Sequence, residues 1–249
     1  MNGYSAFAEY YDKFTGNVDY SVRARYFDTV IQKYAPGAQL LLDLACGTGS
    51  LTLELEKLGY DVIGVDSSWE MLSVAAEKKA AAESKALFLC QEMGELDLYG
   101  TVQATVCALD SLNHLLTEKE LLAALKRVSL FSEPGAVFVF DVNTPYKHRE
   151  VLGDNCFVYE EDNVLCVWQN SFDPDSGTVD VNLDFFALQE SSGLWSRMGE
   201  SFSERAYSQE TLRKLSEQAG FEVRAVFDED SFMPPREDSQ REMFVLIKK

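Results

Sequence analysis

The stretch Asp43-Leu44-Ala45-Cys46-Gly47-Thr48-Gly49 carries the densest chemical signal in the chain. An apolar run precedes it and a helical pattern follows, so it reads as a strand turning into a helix. Glycine permits the tight turn and removes the Cβ that would hold a ligand off the backbone. In open α/β sheets such turns seat nucleotide-like ligands at the carboxyl ends of strands. Dinucleotide binding wants a third glycine, as in G-x-G-x-x-G, and here that position is Thr52. Asp43, just before the glycines, would repel a pyrophosphate and would suit a cationic ammonium group. The plainer alternative is a chance G-x-G in a loop.

Asp66 ends the next apolar run, 17 residues after Gly49. A carboxylate there can accept from both ribose hydroxyls, although helix N-termini also favour Asp on dipole grounds. The two places together set a nucleoside across two adjacent strands. His114 follows the fourth apolar run and is the candidate general base, or else it only lines the pocket. His148 lies past the fifth run, after Asn143 and Tyr146. These last two read as contacts to a second substrate, or as structural residues beyond a strand end. With two histidines in the chain, a Ser-His-Asp hydrolase or a His-rich metal site is hard to build, and no metal is expected. Asp173, Asp175 and Gly177 match the start of a calcium loop, but Thr178 and Asp184 stand where that loop needs Gly and Glu. A hairpin turn accounts for them.

The elements that must position these residues are legible as an alternation of short apolar runs and helical patterns from about residue 38 to 141. Leu40–Leu44, Val62–Val65, Ala86–Cys90, Val102–Leu109 and Ala136–Phe140 read as strands. Ser67-Ser68-Trp69-Glu70 and Thr117-Glu118-Lys119-Glu120 have capping-box spacing and open helices. Such alternation predicts an α/β fold with a doubly wound, mostly parallel seven-stranded sheet and helices on both faces. After about residue 150 the pattern changes. Val164–Phe172 and Thr178–Leu188 flank Asp173-Pro174-Asp175-Ser176-Gly177, which is strong turn chemistry. Two or three antiparallel strands running to about Tyr207 are expected. A helix from Ser208 to Ala219, stopped by Gly220, then leads to strands at Phe221–Phe227 and Glu242–Ile247.

Whole-chain numbers narrow the function. With 22 Lys+Arg against 41 Asp+Glu over 249 residues, the formal net charge is −19. Such a surface repels phosphate backbones and anionic membranes, so neither nucleic acid nor a membrane is expected as partner. Five scattered cysteines without CxxC spacing suggest neither zinc nor a disulfide framework. A reducing cytoplasm is the simplest setting. The first twenty residues lack the regions of a signal peptide, and no apolar run approaches the ~20 residues that span a bilayer.

On these motifs the sequence resembles the class I S-adenosylmethionine-dependent methyltransferases. The resemblance covers residues 38–141 well and the last helix and strands in outline. D-L-A-C-G-T-G at 43–49, including Ala45 and Thr48, is a specific form of the family's first motif. Asp66-Ser67-Ser68-Trp69-Glu70-Met71-Leu72 looks like its second, which implies that Asp66 holds the ribose, that Ser67 belongs to the cofactor site and that Met71 packs on the adenine. Gln91-Glu92-Met93 lies where the family carries an Asp for the adenine amino group, so Glu92 departs by one methylene and the Met93 backbone is the alternative contact. Leu109 and Asp110-Ser111-Leu112-Asn113-His114 fall where the family surrounds the methionine moiety and the methyl. The segment Tyr4–Tyr20 resembles the lid helix of the small-molecule, glycine N-methyltransferase-like branch. That similarity implies that Tyr11 and Tyr20 close over the cofactor, with ordinary packing as the alternative.

The resemblance implies S-adenosyl-L-methionine as cofactor, a small-molecule methyl acceptor, and residues 1–36 as lid helices. Residues 37–149 and 208–249 would form the cofactor core. Residues 150–207 would be an antiparallel insertion covering the acceptor site or making a homodimer contact. The rival readings are a nicotinamide-dependent oxidoreductase, which Asp43 and the missing third glycine oppose, and a cofactor-binding protein without turnover.

Overall fold

The computed structural model describes residues 7–16, 18–161, 163–189 and 192–249. The apolar runs become parallel strands, buried on both faces at the centre of the sheet and only partly buried at the edge strand β3. These are β1 (Leu40–Leu44), β2 (Asp61–Asp66), β3 (Leu87–Cys90), β4 (Val102–Cys107) and β5 (Ser132–Asn143). Helices α3 (Ser50–Lys57), α4 (Trp69–Ala81) and α5 (Glu118–Leu130) join them, and two further helices precede β1, α1 (Phe7–Phe14) and α2 (Tyr20–Tyr34). The chain closes with α6 (Gln209–Gln218), β10 (Phe221–Asp228) and β11 (Arg241–Lys248).

The result is the expected mostly parallel, seven-stranded sheet in the order β10-β11-β5-β4-β1-β2-β3. β11 alone runs antiparallel to its neighbours. The order reverses between β1 and β4, where β1 pairs Leu41–Asp43 with Ala104–Val106 of β4 and, on its other edge, Leu40–Leu44 with Asp61–Val65 of β2. That switch point is where such sheets open a ligand crevice.

Each face of the sheet carries its own core. Phe138, Phe140, Phe244 and Leu246 pack with α5 and α6 on one side. Val137, Val139, Met243 and Val245 pack with α2 and α3 on the other. Helix starts are capped as the sequence indicates, with one shift. Thr117 and Glu120 form the reciprocal capping box of α5, and Ser208 accepts from the Thr211 N–H at α6. At α4 the cap is Ser68, which accepts from the Met71 N–H, and not Ser67. Asp66 Oδ1 accepts the Ser68 N–H at 2.9 Å, so the strand-to-helix turn consumes Ser67 and the helix begins one residue later than the capping-box spacing implies.

The antiparallel sheet has four strands in the order β6-β7-β8-β9, where two or three were expected. They are β6 (Cys156–Glu161), β7 (Val164–Asp173), β8 (Thr178–Gln189) and β9 (Leu194–Arg205). β6 escapes a sequence reading because it is a largely exposed edge strand whose Phe157 and Tyr159 gain partners only on pairing with Trp168 and Cys166 of β7. The Asp173 turn is the hairpin expected, with Asp173 accepting from the Asp175 N–H at 3.0 Å and from the Ser176 hydroxyl at 2.5 Å. One face of this sheet, through Val179, Val181, Leu183 and Phe185, makes a third core with Leu152 and Phe14.

Candidate functional site

A cavity of about 480 Å³ lies beyond the carboxyl ends of β1, β2, β4 and β5, closed on its far side by the antiparallel sheet. Of the residues the sequence nominates, Tyr11, Ala45, Gly47, Asp66, Ser67, Met71, Glu92, Met93, Leu109, Asp110, His114 and Asn143 line it. Tyr20, Asp43, Thr48, Gly49 and Tyr146 lie outside its lining. Tyr4, nominated with the first helix, lies outside the described residues.

The first turn splits its two glycines between two tasks. A Cβ at Gly47 would meet nothing within 4 Å, so its backbone opens onto space, whereas a Cβ at Gly49 would come within 2.9 Å of the Phe88 ring and 3.1 Å of Ala75. Gly49 therefore allows close packing of protein on protein, the role the dinucleotide pattern gives its third glycine. Both residues have positive φ, at 53° and 75°. The Gly47 N–H donates to Asp66 Oδ2 at 2.8 Å, which locks the β1 turn to the end of β2. Burial raises the Asp66 carboxyl above its usual range, against the N–H groups of Ser68 and Gly47 that pull it down.

Asp43 points into the protein. It is fully buried, and its carboxylate accepts from the Thr52 hydroxyl at 2.6 Å. Burial pushes it up to about 7, opposed by that hydroxyl and reinforced by Asp66. Thr48 is likewise committed to the protein. It donates to Asp12 of α1 at 2.7 Å and accepts from Lys78 of α4 at 2.9 Å, while Lys78 also pairs with Asp12. Tyr20 packs into the α2 core, its hydroxyl 3.3 Å from the Thr15 hydroxyl.

A charged cluster forms the floor below β4 and β5. Leu109 and Asp110 both adopt left-handed backbone, φ 57° and 54°, a conformation costly for side-chain-bearing residues. The fully buried Asp141 of β5 holds them there, its two oxygens accepting the Leu109 and Asp110 N–H groups at 2.8 and 3.0 Å. Arg241 of β11 pairs with both Asp141 and Asp110. Burial would raise the Asp110 carboxyl, but Arg241 and Lys147 outweigh it and hold it well below the usual range. Asn143 donates to Asp110 at 2.8 Å and accepts from Lys147 at 2.8 Å.

The sequence alone misses Arg241, Lys147 and Glu204, and the aromatic wall of Phe14, Tyr159, Trp168 and Phe202. Lys147 directly follows the nominated Tyr146 and takes the place in the cavity wall that Tyr146 does not. Arg241 and Glu204 carry no local signal, because strand pairing brings Arg241 to the end of β5 and packing of the antiparallel sheet against the parallel one brings Glu204 to Asn143. An adjoining, more open depression of about 680 Å³ beyond Arg241 contains Arg23 and Arg236. Its guanidinium groups are already paired, Arg23 with Asp141 and Asp230 and Arg236 with Asp228 and Asp238.

Known proteins agree with this geometry. A methyltransferase domain family model matches residues 41–135. The structure of an S-adenosylmethionine-dependent methyltransferase from Clostridium acetobutylicum superposes with a TM-score of 0.89 at 31% identity, covering 99% of each chain. A glycine/sarcosine N-methyltransferase of Halorhodospira halochloris is 29% identical over 52% of this chain and 50% of its own. A dTDP-3-amino-3,4,6-trideoxy-alpha-D-glucopyranose N,N-dimethyltransferase of Streptomyces venezuelae is 31% identical over 55% and 54%. With a full-length relative at this identity, a glycine turn tied to an acidic residue at the next strand end, and a cavity at the switch point, the chain belongs to the class I S-adenosylmethionine-dependent methyltransferases.

Proposed function

We propose that this enzyme methylates an amine nitrogen of a small molecule, with cofactor and acceptor meeting in the cavity between the two sheets. The observation that carries the reading is that one cavity is walled by Gly47 and Asp66 on one side and by residues of the antiparallel sheet on the other. The relatives acting on glycine or sarcosine and on an amino sugar support an amine acceptor.

The residues present fit the cofactor. Asp66 would take the ribose hydroxyls and Ser67 would support it, the open space over Gly47 would admit the ligand against the backbone, and Met71 would pack on the adenine beside Glu92 and Met93. Ala45, Leu109 and Asp110 would surround the amino-acid end. Asp43 would act from beneath the turn, by its charge, while Thr48 and Gly49 would fix the turn's shape. When bound, the cofactor supplies a methyl group on a sulfonium, an electrophile that needs no activation by metal. The chain's own contribution is alignment and exclusion of water, which can supply roughly 7–11 kcal/mol. His114 would accept a proton or line the pocket. Asn143 would contact the acceptor, and Tyr146, outside the lining, would support that wall. Helices α1 and α2 would serve as the lid, Tyr11 from within the cavity and Tyr20 by packing, and residues 150–207 as the acceptor-site cover. Among the described residues no helix is long and apolar enough to cross a membrane, and the five thiols are free, which supports a cytoplasmic setting.

The test is a thermal-shift comparison followed by a labelled-methyl screen of a metabolite extract. Stabilisation by S-adenosylmethionine and S-adenosylhomocysteine is expected, with a labelled product methylated at nitrogen. Labelling of protein or nucleic acid alone would overturn the small-molecule reading.

A further inference from the structure

We infer that Glu204 is the acceptor-binding carboxylate, which selects a protonated amine and takes one proton from its nitrogen. The inference rests on the proposed reading that the acceptor enters between the two sheets. Antiparallel pairing of β9 with β8 sets Glu204 opposite Val179, on the same face as Glu200 and Phe202, and that face looks onto the β4 and β5 strand ends. Its side chain is only 8% exposed. Among the described residues it is the one acid that the antiparallel sheet contributes to the cavity lining.

A carboxylate so buried calls for a cation, since desolvation of an unpaired charge is costly. The cations nearby are shared with other acids. Arg241 is divided between Asp110 and Asp141, and the Lys147 ammonium donates to Asn143 Oδ1 and acts by its charge on Asp110 and Asp141 as well as on Glu204. Glu204 Oε2 accepts only a 3.3 Å bond from the Asn143 amide and lies 3.5 Å from His148 Nε2. Oε1 lies on the His114 side, 3.9 Å from its Nε2. His148 is 1% exposed, and neither ring nitrogen has a hydrogen-bond partner among the described residues. It backs Glu204 as a positioning residue.

The rest of the wall favours the same ligand. Tyr159, Trp168 and Phe202 line the cavity from this sheet, and aromatic faces attract a desolvated ammonium. An anionic acceptor would instead meet four acids in one space, Glu204, Asp110, Asp66 and Glu92, against two cations, Lys147 and Arg241. An ammonium has no lone pair for a nucleophilic attack. Transfer of one N–H proton to Glu204 Oε1 leaves that bond's electron pair on nitrogen, and the proton passes to water when the site opens.

Isothermal titration of the protein saturated with S-adenosylhomocysteine, using benzylammonium, benzyl alcohol and benzoate as probes, tests this. Wild type should bind benzylammonium at least about tenfold more tightly than the other two. Glu204→Gln should lose that preference while its affinity for S-adenosylhomocysteine and its Tm stay unchanged. If Glu204→Gln does not fold, Glu204→Asp, which keeps the charge, should retain the preference. Equal binding of the three probes by wild type, or a preference that survives Glu204→Gln, overturns the assignment and leaves the methyltransferase reading standing. Failure of wild type to bind S-adenosylhomocysteine removes both.

Discussion

The Arg241 guanidinium lies 2.6 Å from the Asp110 carboxylate, joining the last strand of the sheet to the strained turn after β4. Register makes this contact, since β11 pairs Arg241 with Asn143 and Met243 with Asp141 at the end of β5. Burial alone would lower the Arg241 pKa, but Asp110 and Asp141 outweigh it and raise it. One guanidinium therefore serves two carboxylates and, through Asp141, the left-handed backbone of Leu109 and Asp110.

Replacing Arg241 with Met leaves Asp110 chiefly the charge of Lys147 and Asp141 only its 3.5 Å pair with Arg23. Breaking a buried pair by removing one partner costs about 3–5 kcal/mol, so urea unfolding should show a loss of that order. A loss under about 1 kcal/mol, the scale of a surface pair, would mean that the cluster is hydrated.

Asp66→Ala should weaken cofactor binding more than about tenfold, equivalent to about 1.4 kcal/mol, and also release the Gly47 N–H. Calorimetric titration with S-adenosylhomocysteine measures it. An unchanged affinity would remove Asp66 from the ribose site.

Asp43 gives the ligand-free protein a particular pH dependence. Its carboxyl, raised by burial from 3.8 to about 7, keeps a proton when folded that the unfolded chain releases. Its contribution is thus fully present below about pH 4 and is lost as pH rises through about 7, by roughly 4 kcal/mol. Stability of wild type relative to Asp43→Asn should fall between pH 4 and 7 and then level off. A difference that stays flat across that window would show that Asp43 does not titrate there.

The two motif glycines should separate fold from binding. Gly47→Ala places a Cβ in open space at positive φ and should cost about 1–2 kcal/mol of backbone strain, with its larger effect on cofactor affinity. Gly49→Ala must in addition displace the Phe88 ring, adding about 1–3 kcal/mol of overpacking. Parallel melting curves and cofactor titrations of the two variants distinguish these outcomes.

Asn113 is fully buried, donates to the Asn143 and Arg205 carbonyls and accepts the Asn143 N–H. It clips β9, and with it Glu204, to the end of β5. Asn113→Ala should destabilise by about 1–3 kcal/mol through the groups it orphans. Hydrogen exchange should accelerate at Asn143 and through β9, and uniform protection would contradict the clip.

The sequence by itself determined the parallel sheet, the helix starts at α5 and α6 and, to within one residue, at α4, and the Gly47 and Asp66 half of the cavity. Those features are local. Apolar runs, caps and glycine turns act over a few residues, so their spacing can be read along the chain. The sequence also nominated Asp43, Thr48 and Gly49 from the same motif, but only packing decided that they face Thr52, the Asp12–Lys78 pair and Phe88, since orientation at a turn depends on what lies against it. The charged floor and the acceptor wall were decided wholly by tertiary structure. Arg241 lies 131 positions from Asp110, and Glu204 lies 61 from Asn143. Strand register brings Arg241 to Asp110, packing of the two separate sheets brings Glu204 to Asn143, and no local propensity encodes either relation between strands so distant.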